Sequence, residues 1–525
     1  MASGLFRSTA VVGGMTVISR LLGFVRDMVL ARAFGAGMAT DAFFVAFKLP
    51  NFFRRLFGEN AFATAFVPVL TDYRERGDTE ALHRLLGAVA GLLAVVAAGG
   101  AVAGMIAAPF LVRVLAPGFG GDAAKVALTA DLLRLTFPYL LFITLVAFAG
   151  GILNAFGRFA VPAFTPVLLN VALIIAALWA APAFETPVMA LGWGVVAGGL
   201  LQLAFQVPAL ARRGLLPRPR WQPWHAGVRR IVRLMGPNVL SVSVAQISIL
   251  VDTILASLLQ EGSISFLYYS DRLVQFPVGV FGIALGTAIL PALSGQVSRG
   301  EEAAYRATLD RGLRLIIIIG LPATAGLILL GGPILTTLFQ YGAFTPATTA
   351  LTYPSLAAYA LGIVGTIGVK VTAPAFYSRQ DTRTPMRAAA WAMGANVVLN
   401  FLLIGPLAHA GLALATSLAA FLNAGLLLGP LVAQGRFWPS PGWTGHLLRV
   451  AGALAALVAA GWAVTPAPGV WHAAGAGVRV AMLAGCVATA GVAYLGTAWL
   501  LGVSEVRALP RWLHQRFFDG PVGGR

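Results

Sequence analysis

SRLLGFVRDMVLARAFGAGMATDAFFVAFKLPNFFRRLFGE, residues Ser19 to Glu59, decides the fold. By hydropathy it reads as two membrane-spanning helices and the short turn between them. Yet it carries Arg20, Arg26, Asp27, Arg32, Asp41, Lys48, Arg54, Arg55 and Glu59. A cation at the centre of a spanning helix costs about 2.5–3.5 kcal/mol on insertion scales. Arg20 falls near the middle of the first apolar run, and Arg54 and Arg55 near the middle of the second. Side chains of this kind line a watery cavity or pair inside a helix bundle.

The whole chain fits that setting. Its 525 residues are 58% hydrophobic and 11% charged, with a mean hydropathy of +0.83. A soluble domain carries about 25% charged residues, so the composition describes a polytopic membrane protein. A single cysteine, Cys486, excludes a disulfide framework and any cysteine-based metal site. The formal charge of +18 lies in short loops between apolar runs. The positive-inside rule therefore accounts for it without nucleic acid. No A-x-A-like site closes a short apolar region near Arg7, so the first helix is expected to stay as an anchor.

A spanning helix needs about 20 mainly apolar residues. That ruler marks about fourteen candidates. They lie near 8–34, 40–71, 84–115, 127–153, 160–182, 188–210, 228–259, 264–294, 312–338, 349–377, 385–404, 409–434, 447–466 and 476–502. Arginines concentrate in alternate loops: Arg74, Arg76 and Arg84, then Arg158, then Arg212 to Arg233, and onward to Arg507, Arg511 and Arg516. The opposite loops hold little beyond Asp41, Asp122, Lys125, Glu185, Glu261, His409 and His472. This asymmetry predicts cytoplasmic termini at both ends and an even helix count.

The longest polar interruption, RRGLLPRPRWQPWHAGVRR (Arg212–Arg230), suits a cytoplasmic linker at the headgroup level. An internal repeat places a lobe boundary there. FFVAFKLPNFFRRLFGENAFATAFVPVLTDYRERGD, from Phe43, aligns with FLYYSDRLVQFPVGVFGIALGTAILPALSGQVSRGE, from Phe266. Phe57-Gly58 answers Phe281-Gly282, Pro68 answers Pro291, and Lys48-Leu49 answers Arg272-Leu273. The expected architecture is all-α: two parallel six-helix lobes, 1–211 and 228–441, joined by a linker at 212–227. Two additional helices follow in 442–525. Parallel repeats of this type build transporters that alternate access around a site between the lobes.

Two constellations carry chemistry. The first is cationic: Arg20, Arg26, Lys48, Arg54, Arg55, Arg272 and Lys370, with Asp27, Glu59 and Asp271 as partners. Pairing alone does not neutralise it, and excess positive charge in a cavity calls for an anionic ligand. The planar fork of arginine suits phosphate. Lys48 and Arg272, from equivalent helices, are expected to face one central cleft. The second is Asp252, Asn396, Asn400 and Thr416, whose hard oxygens suit a small cation such as sodium. Interhelical hydrogen bonding is the competing reading. Gly58 and Gly282 read first as close-packing positions and second as hinges. No Walker A, H-E-x-x-H or Ser/His/Asp signature occurs. The loops show no paired acids of the sort a metal-dependent enzyme acting on a polyprenyl phosphate exposes. The six histidines are expected at or near loops.

SRLLGFVRD (Ser19–Asp27), FGAGMATDAFFVAFKLPNFFRRLF (Phe34–Phe57), FVPVL (Phe66–Leu70), YYSDRL (Tyr268–Leu273) and APAFYSRQDTRTP (Ala373–Pro385) resemble the MurJ (MviN) family. That family comprises the lipid II flippases of bacterial cell-wall synthesis, within the multidrug/oligosaccharidyl-lipid/polysaccharide exporter superfamily. The resemblance covers essentially the whole chain. It implies an N-lobe, a C-lobe, two further helices that form a groove for the lipid tail, and alternating access in the inner membrane. It implies lipid II as ligand, membrane lipids as surroundings, and other cell-wall synthesis proteins as candidate partners. The family's cavity arginines match Arg20, Arg26, Arg54 and Arg272, and its functional acids match Asp41 and Glu59. Its sodium site in some members matches Asp252, Asn396, Asn400 and Thr416, with Asn400 where an acid can stand. The alternatives are a flippase for another lipid-linked oligosaccharide, a drug exporter of the same superfamily, or a membrane enzyme on the same lipid.

Overall fold

A computed structural model describes residues 2–54 and 61–508, with the backbone alone at 2–11, 61, 237–246 and 283. Every regular element among them is helical. The chain divides into two compact units: residues up to Ser265 with Tyr341–Phe344, and Phe266–Gln340 with the rest from Thr345.

The first unit holds α1 (Ala2–Phe34), α2 (Met38–Phe53), α3 (Ala61–Glu75), α4 (Thr79–Ile106), α5 (Ala108–Leu115), α6 (Ala123–Thr136), α7 (Tyr139–Ala155), α8 (Ala160–Ile175), α9 (Met189–Ala211) and α10 (Ala226–Ser257). Side-chain caps start several of these where a polar residue precedes the apolar run. Asp78 accepts from the Ala81 N–H, and Asp122 accepts from Ala124 and Lys125. Phe62, Phe66, Leu85, Leu86, Phe148 and Ile152 form an aromatic-rich core joining α3, α4 and α7, and Val228 and Ile231 bring α10 into it. Helix α10 therefore belongs to the first compact unit, beyond the polar linker.

The second unit holds α11 (Ser263–Pro277, whose first three residues cluster with the first unit), α12 (Ile283–Ser298), α13 (Glu302–Leu329), α14 (Gly331–Leu338), α15 (Pro346–Leu361), α16 (Ile363–Tyr377), α17 (Arg383–Ala433), α18 (Trp443–Val464), α19 (Pro468–Ala473) and α20 (Ala476–Leu500). A π-helical turn, Val278–Gly282, joins α11 to α12. Helices α18 and α20 pack on each other and on α13. Tyr494 donates its hydroxyl to the Ile318 carbonyl at 2.8 Å.

Among the described residues, ten helical runs are long and apolar enough to cross a membrane. One of them is α17, 51 residues long, which covers two of the expected spans. The expected spans missing from the ten are the first, second and seventh, and they fall on α1, α2 with α3, and α10. Their described residues are helical in spite of the charge these spans carry. The chain reverses inside α17 at Ala408, whose φ is +48°. A Cβ at Gly411 would stand 2.2 Å from the Leu403 carbonyl oxygen, so only glycine allows the two arms to meet this closely. The expected span 84–115 is likewise interrupted: α4 ends at Ile106, and α5 restarts with a proline in its first turn.

Candidate cation-lined translocation site

Arg26 is the best-defined member of the cationic set. Its side chain is 11% exposed and that of Asp27 is 1% exposed. One carboxylate oxygen of Asp27 accepts from Arg26 Nη2 at 2.6 Å and from Nε at 3.0 Å. Arg26 Nη1 donates to Asn170 Oδ1 of α8 at 3.0 Å. Asn170 in turn donates to the Ser19 carbonyl at 3.2 Å. The amide stands opposite Gly23, so α1 presents bare backbone where α8 reaches it. Asn170 thus fixes both the helix and the guanidinium. It is the one amide in the apolar run of α8, FTPVLLNVALII. That isolation was the signal, because a buried amide in a spanning helix needs partners.

The other cations of the first unit sit differently. Arg20 is exposed, and Lys48 is half-buried. Arg54, at the end of α2, donates Nε to Asn51 Oδ1 at 2.9 Å. Helix α1 packs on α8, whereas α2 packs on α6. Arg55 and Glu59 lie outside the described residues, as does Gly58.

The Asp41 carboxylate is buried and accepts hydrogen bonds from the turn before α11 and from the first turn of that helix. Oδ1 accepts from the Ser265 hydroxyl at 2.7 Å and its N–H at 3.0 Å. Oδ2 accepts from the Gly262 N–H at 2.8 Å and lies 3.7 Å from Lys125 Nζ. Alongside, the Met38 N–H donates to Glu261 at 2.7 Å. The start of α2 and the α10–α11 turn are therefore fastened together by acids that lie far apart in sequence. Ser265 was invisible to sequence reasoning, since one serine among many carries no mark.

In the second unit Arg272 donates Nη2 to the Tyr268 hydroxyl at 3.2 Å, and its guanidinium lies 4.9 Å from the centre of that ring. Its neighbour Asp271 accepts from Gln275 at 3.2 Å. Both residues are half-buried. The stem of Lys370, on α16, crosses the π turn: a Cβ at Gly282 would come within 2.8 Å of Lys370 Cδ. Gly282 therefore serves close packing, and it does so against a charged side chain. A π turn at this place adds a local break in the helix ladder, a feature often found at functional positions.

Asn396, Asn400 and Thr416 come together across the reversal in α17. Asn400 donates to Asn396 Oδ1 at 3.3 Å, Asn396 to Thr416 Oγ1 at 3.4 Å, and Thr416 to the Leu412 carbonyl at 3.1 Å. These hydrogen bonds join the two arms, as interhelical glue does. Asp252 belongs to the other compact unit. Asn396 Oδ1 and Thr416 Oγ1 each accept one of these hydrogen bonds. Among the described residues no three acidic, histidine or cysteine side chains gather as for a metal. His409 and His446 are buried, with His409 Nδ1 2.5 Å from the Ser355 hydroxyl. His409 follows directly on the Ala408 reversal and His446 sits in the first turn of α18, so both remain next to chain breaks.

A protein-family model described as lipid II flippase MurJ matches residues 30–484. The chain belongs to that family. The probable lipid II flippase MurJ of Vibrio cholerae serotype O1 is 43% identical over 506 residues, covering 95% of this chain and 96% of that protein. The lipid II flippase MurJ of Burkholderia cenocepacia is 38% identical over 505 residues, covering 95% and 98%. A solved structure titled lipid II flippase MurJ, inward closed conformation, superposes with a TM-score of 0.77 at 23% identity, covering 94% of this chain and 99% of that one. An inward-facing multidrug resistance MATE family transporter of the MOP superfamily superposes with a TM-score of 0.67 at 14% identity, covering 79% and 95%. These likenesses establish a multi-span, all-α transporter fold.

Proposed function

We propose that this protein is a lipid II flippase, a transporter and not an enzyme. It would move an undecaprenyl-pyrophosphate-linked disaccharide-pentapeptide from the cytoplasmic to the outer leaflet of a bacterial inner membrane. The observation that carries the reading is the cationic excess on membrane helices of a MurJ-family chain. Arg20, Arg26, Lys48, Arg54, Arg272 and Lys370 stand against Asp27 and Asp271, while Asp41 is engaged by its own chain. Arginine forks bind pyrophosphate oxygens in pairs, and desolvated surroundings strengthen each contact. The two repeat halves, 1–211 and 228–441, would alternate access with both termini cytoplasmic, although α10 packs here with the helices of the first. The two helices within 442–525 would form the groove for the lipid tail, followed by a cytoplasmic tail, and other cell-wall synthesis proteins would supply and consume the lipid.

The membrane potential suits both half-cycles. Moving negative charge outward is favoured by about 2.3 kcal/mol per charge per 100 mV. The emptied carrier, positive in its cavity, is drawn back inward by the same field. No cofactor is required by this scheme. If sodium takes part, Asp252, Asn396, Asn400 and Thr416 are the residues that would hold it, contributing one positive charge. Reconstitution in liposomes tests the reading: the protein must change the sidedness of lipid II without changing its mass. Collapse of the potential must stop the change even with a sodium gradient, and Asp252→Asn must be milder than Arg26→Ala. Flipping sustained by sodium alone would transfer the driving role to the Asp252, Asn396, Asn400 and Thr416 cluster.

A further inference from the structure

The segment between α9 and α10 has no regular structure, yet it is held firmly along its length. The Arg220 N–H donates to the Gly87 carbonyl of α4 at 2.9 Å. A Cβ at Gly91 would lie 2.1 Å from the Arg220 carbonyl oxygen, and one at Gly87 2.7 Å from that of Arg218. The two glycines, one helical turn apart, form the bed in which this strap lies. Leu215 is buried in the core beside Leu85 and Val228. At the far end His225 Nδ1 accepts from the Gly227 N–H at 3.2 Å and caps α10.

A strap so fixed displays what it carries. Trp221 is 59% and Trp224 84% exposed. A cavity of about 440 Å³ opens among Trp221, Gln222, Pro223, Trp224 and His225. Arg212, Arg213, Arg218 and Arg220 are all exposed. The nearby acids do not offset them: Asp72 pairs with Arg230, Glu80 pairs with Arg84, and Asp78 caps α4. The strap follows directly on α9, one of the helices apolar enough to cross a membrane. Its tryptophans therefore lie where a bilayer meets water, the depth that indoles favour.

We propose that the strap 212–225 is a binding site for anionic phospholipid headgroups. Arg218 and Arg220 take the phosphates, and Trp221 and Trp224 sit beside the glycerol and upper acyl region. The occupant is a lipid because the positive charge and the exposed indoles share one fixed segment at a membrane boundary. Each arginine near an anionic surface is worth about 1 kcal/mol, a fivefold local enrichment of acidic lipid.

The test uses the full chain in vesicles. With Cys486→Ala removing the one native cysteine, Gln222→Cys carries a fluorophore in the cavity. Brominated phosphatidylglycerol and brominated phosphatidylcholine, at equal mole fraction, serve as quenchers. Phosphatidylglycerol should quench about fivefold or more strongly than phosphatidylcholine, and Arg218→Gln with Arg220→Gln should erase the preference. Equal quenching by both lipids overturns the proposal, leaving only a nonspecific anchor. Quenching by aqueous iodide and by neither lipid also overturns it, and assigns the strap to a soluble partner. Retention of lipid II flipping by the arginine double variant confirms that the protein is folded and separates the strap from the translocation site.

Discussion

Removing the Asp41 carboxylate, by Asp41→Ala, unfastens the α10–α11 turn. The substitution strands the Gly262 N–H, the Ser265 N–H and the Ser265 hydroxyl, which Asp41 now receives at 2.7–3.0 Å. It also leaves Lys125, 8% exposed, without its counter-charge. A buried donor deprived of its acceptor costs about 1–3 kcal/mol. Taking the low end for each of the three gives about 3 kcal/mol, or about 150-fold in a local opening equilibrium. Hydrogen exchange read by mass spectrometry on peptides covering 258–266 should accelerate by that order, while peptides from α18 and α20 stay unchanged. Asp41→Asn retains one acceptor oxygen and should fall between alanine and wild type. Unchanged exchange at Gly262 and Ser265 in Asp41→Ala would refute the fastening role. Loss of flipping with unchanged exchange would assign Asp41 to the substrate instead.

Arg26→Lys keeps the charge but gives up the fork that reaches Asn170 and Asp27 together, so lipid II flipping should fall at least tenfold; Asn170→Ala should follow it, while Asn170→Asp, which keeps an acceptor, should retain more activity. Activity equal to wild type in Arg26→Lys would mean that charge alone suffices. Gly411→Ala places a methyl group against the Leu403 carbonyl and should destabilise the protein by about 1–3 kcal/mol, read as a lowered melting temperature; an unchanged melt would refute the tight reversal. Burial, helped by the Arg84 guanidinium, holds the His225 imidazole below its ordinary range. The fold thus favours its neutral form. The anchoring of the strap should be complete above about pH 6.5 and weaken as the pH falls through that value toward the lower folded one. Exchange at Gly227 measured across this range should show the trend in wild type and lose it in His225→Ala.

Much of this was legible in the chain. Apolar length gave the helices, because a spanning segment must satisfy its own backbone. The charges at Arg26 and Arg272 stood out because they are expensive where they lie. Asn396, Asn400 and Thr416, grouped by an i,i+4 spacing and one neighbouring helix, share hydrogen bonds, whereas Asp252, read with them, belongs to the first unit. What escaped was pairing across distance. Nothing in DAFFVAFK announces that a serine more than two hundred positions later donates to the Asp41 carboxylate. Asn170 was passed over for the same reason, and the hairpin inside α17 was read as two spans without any hint that no loop separates them. The packing of Lys370 over Gly282 depends on a π turn, which hydropathy does not register.

The reversal at Ala408 has a consequence for how this region can be handled. Two membrane helices ordinarily meet through a few accessible residues, where topology reporters are inserted and proteases cut. Here the chain passes from one arm to the other through a single residue of positive φ, and the Leu403 carbonyl rests against Gly411. A tag placed at this corner would pry the arms apart and break the Asn396–Thr416 contact behind them. Its failure would then record damage and not sidedness. Protease resistance at the corner would likewise reflect the want of any extended segment to grip. The arms are best regarded as one hairpin that enters the membrane together, and mapping reagents belong in the flanking segments, at Arg379–Thr382 and Gln434–Gly442.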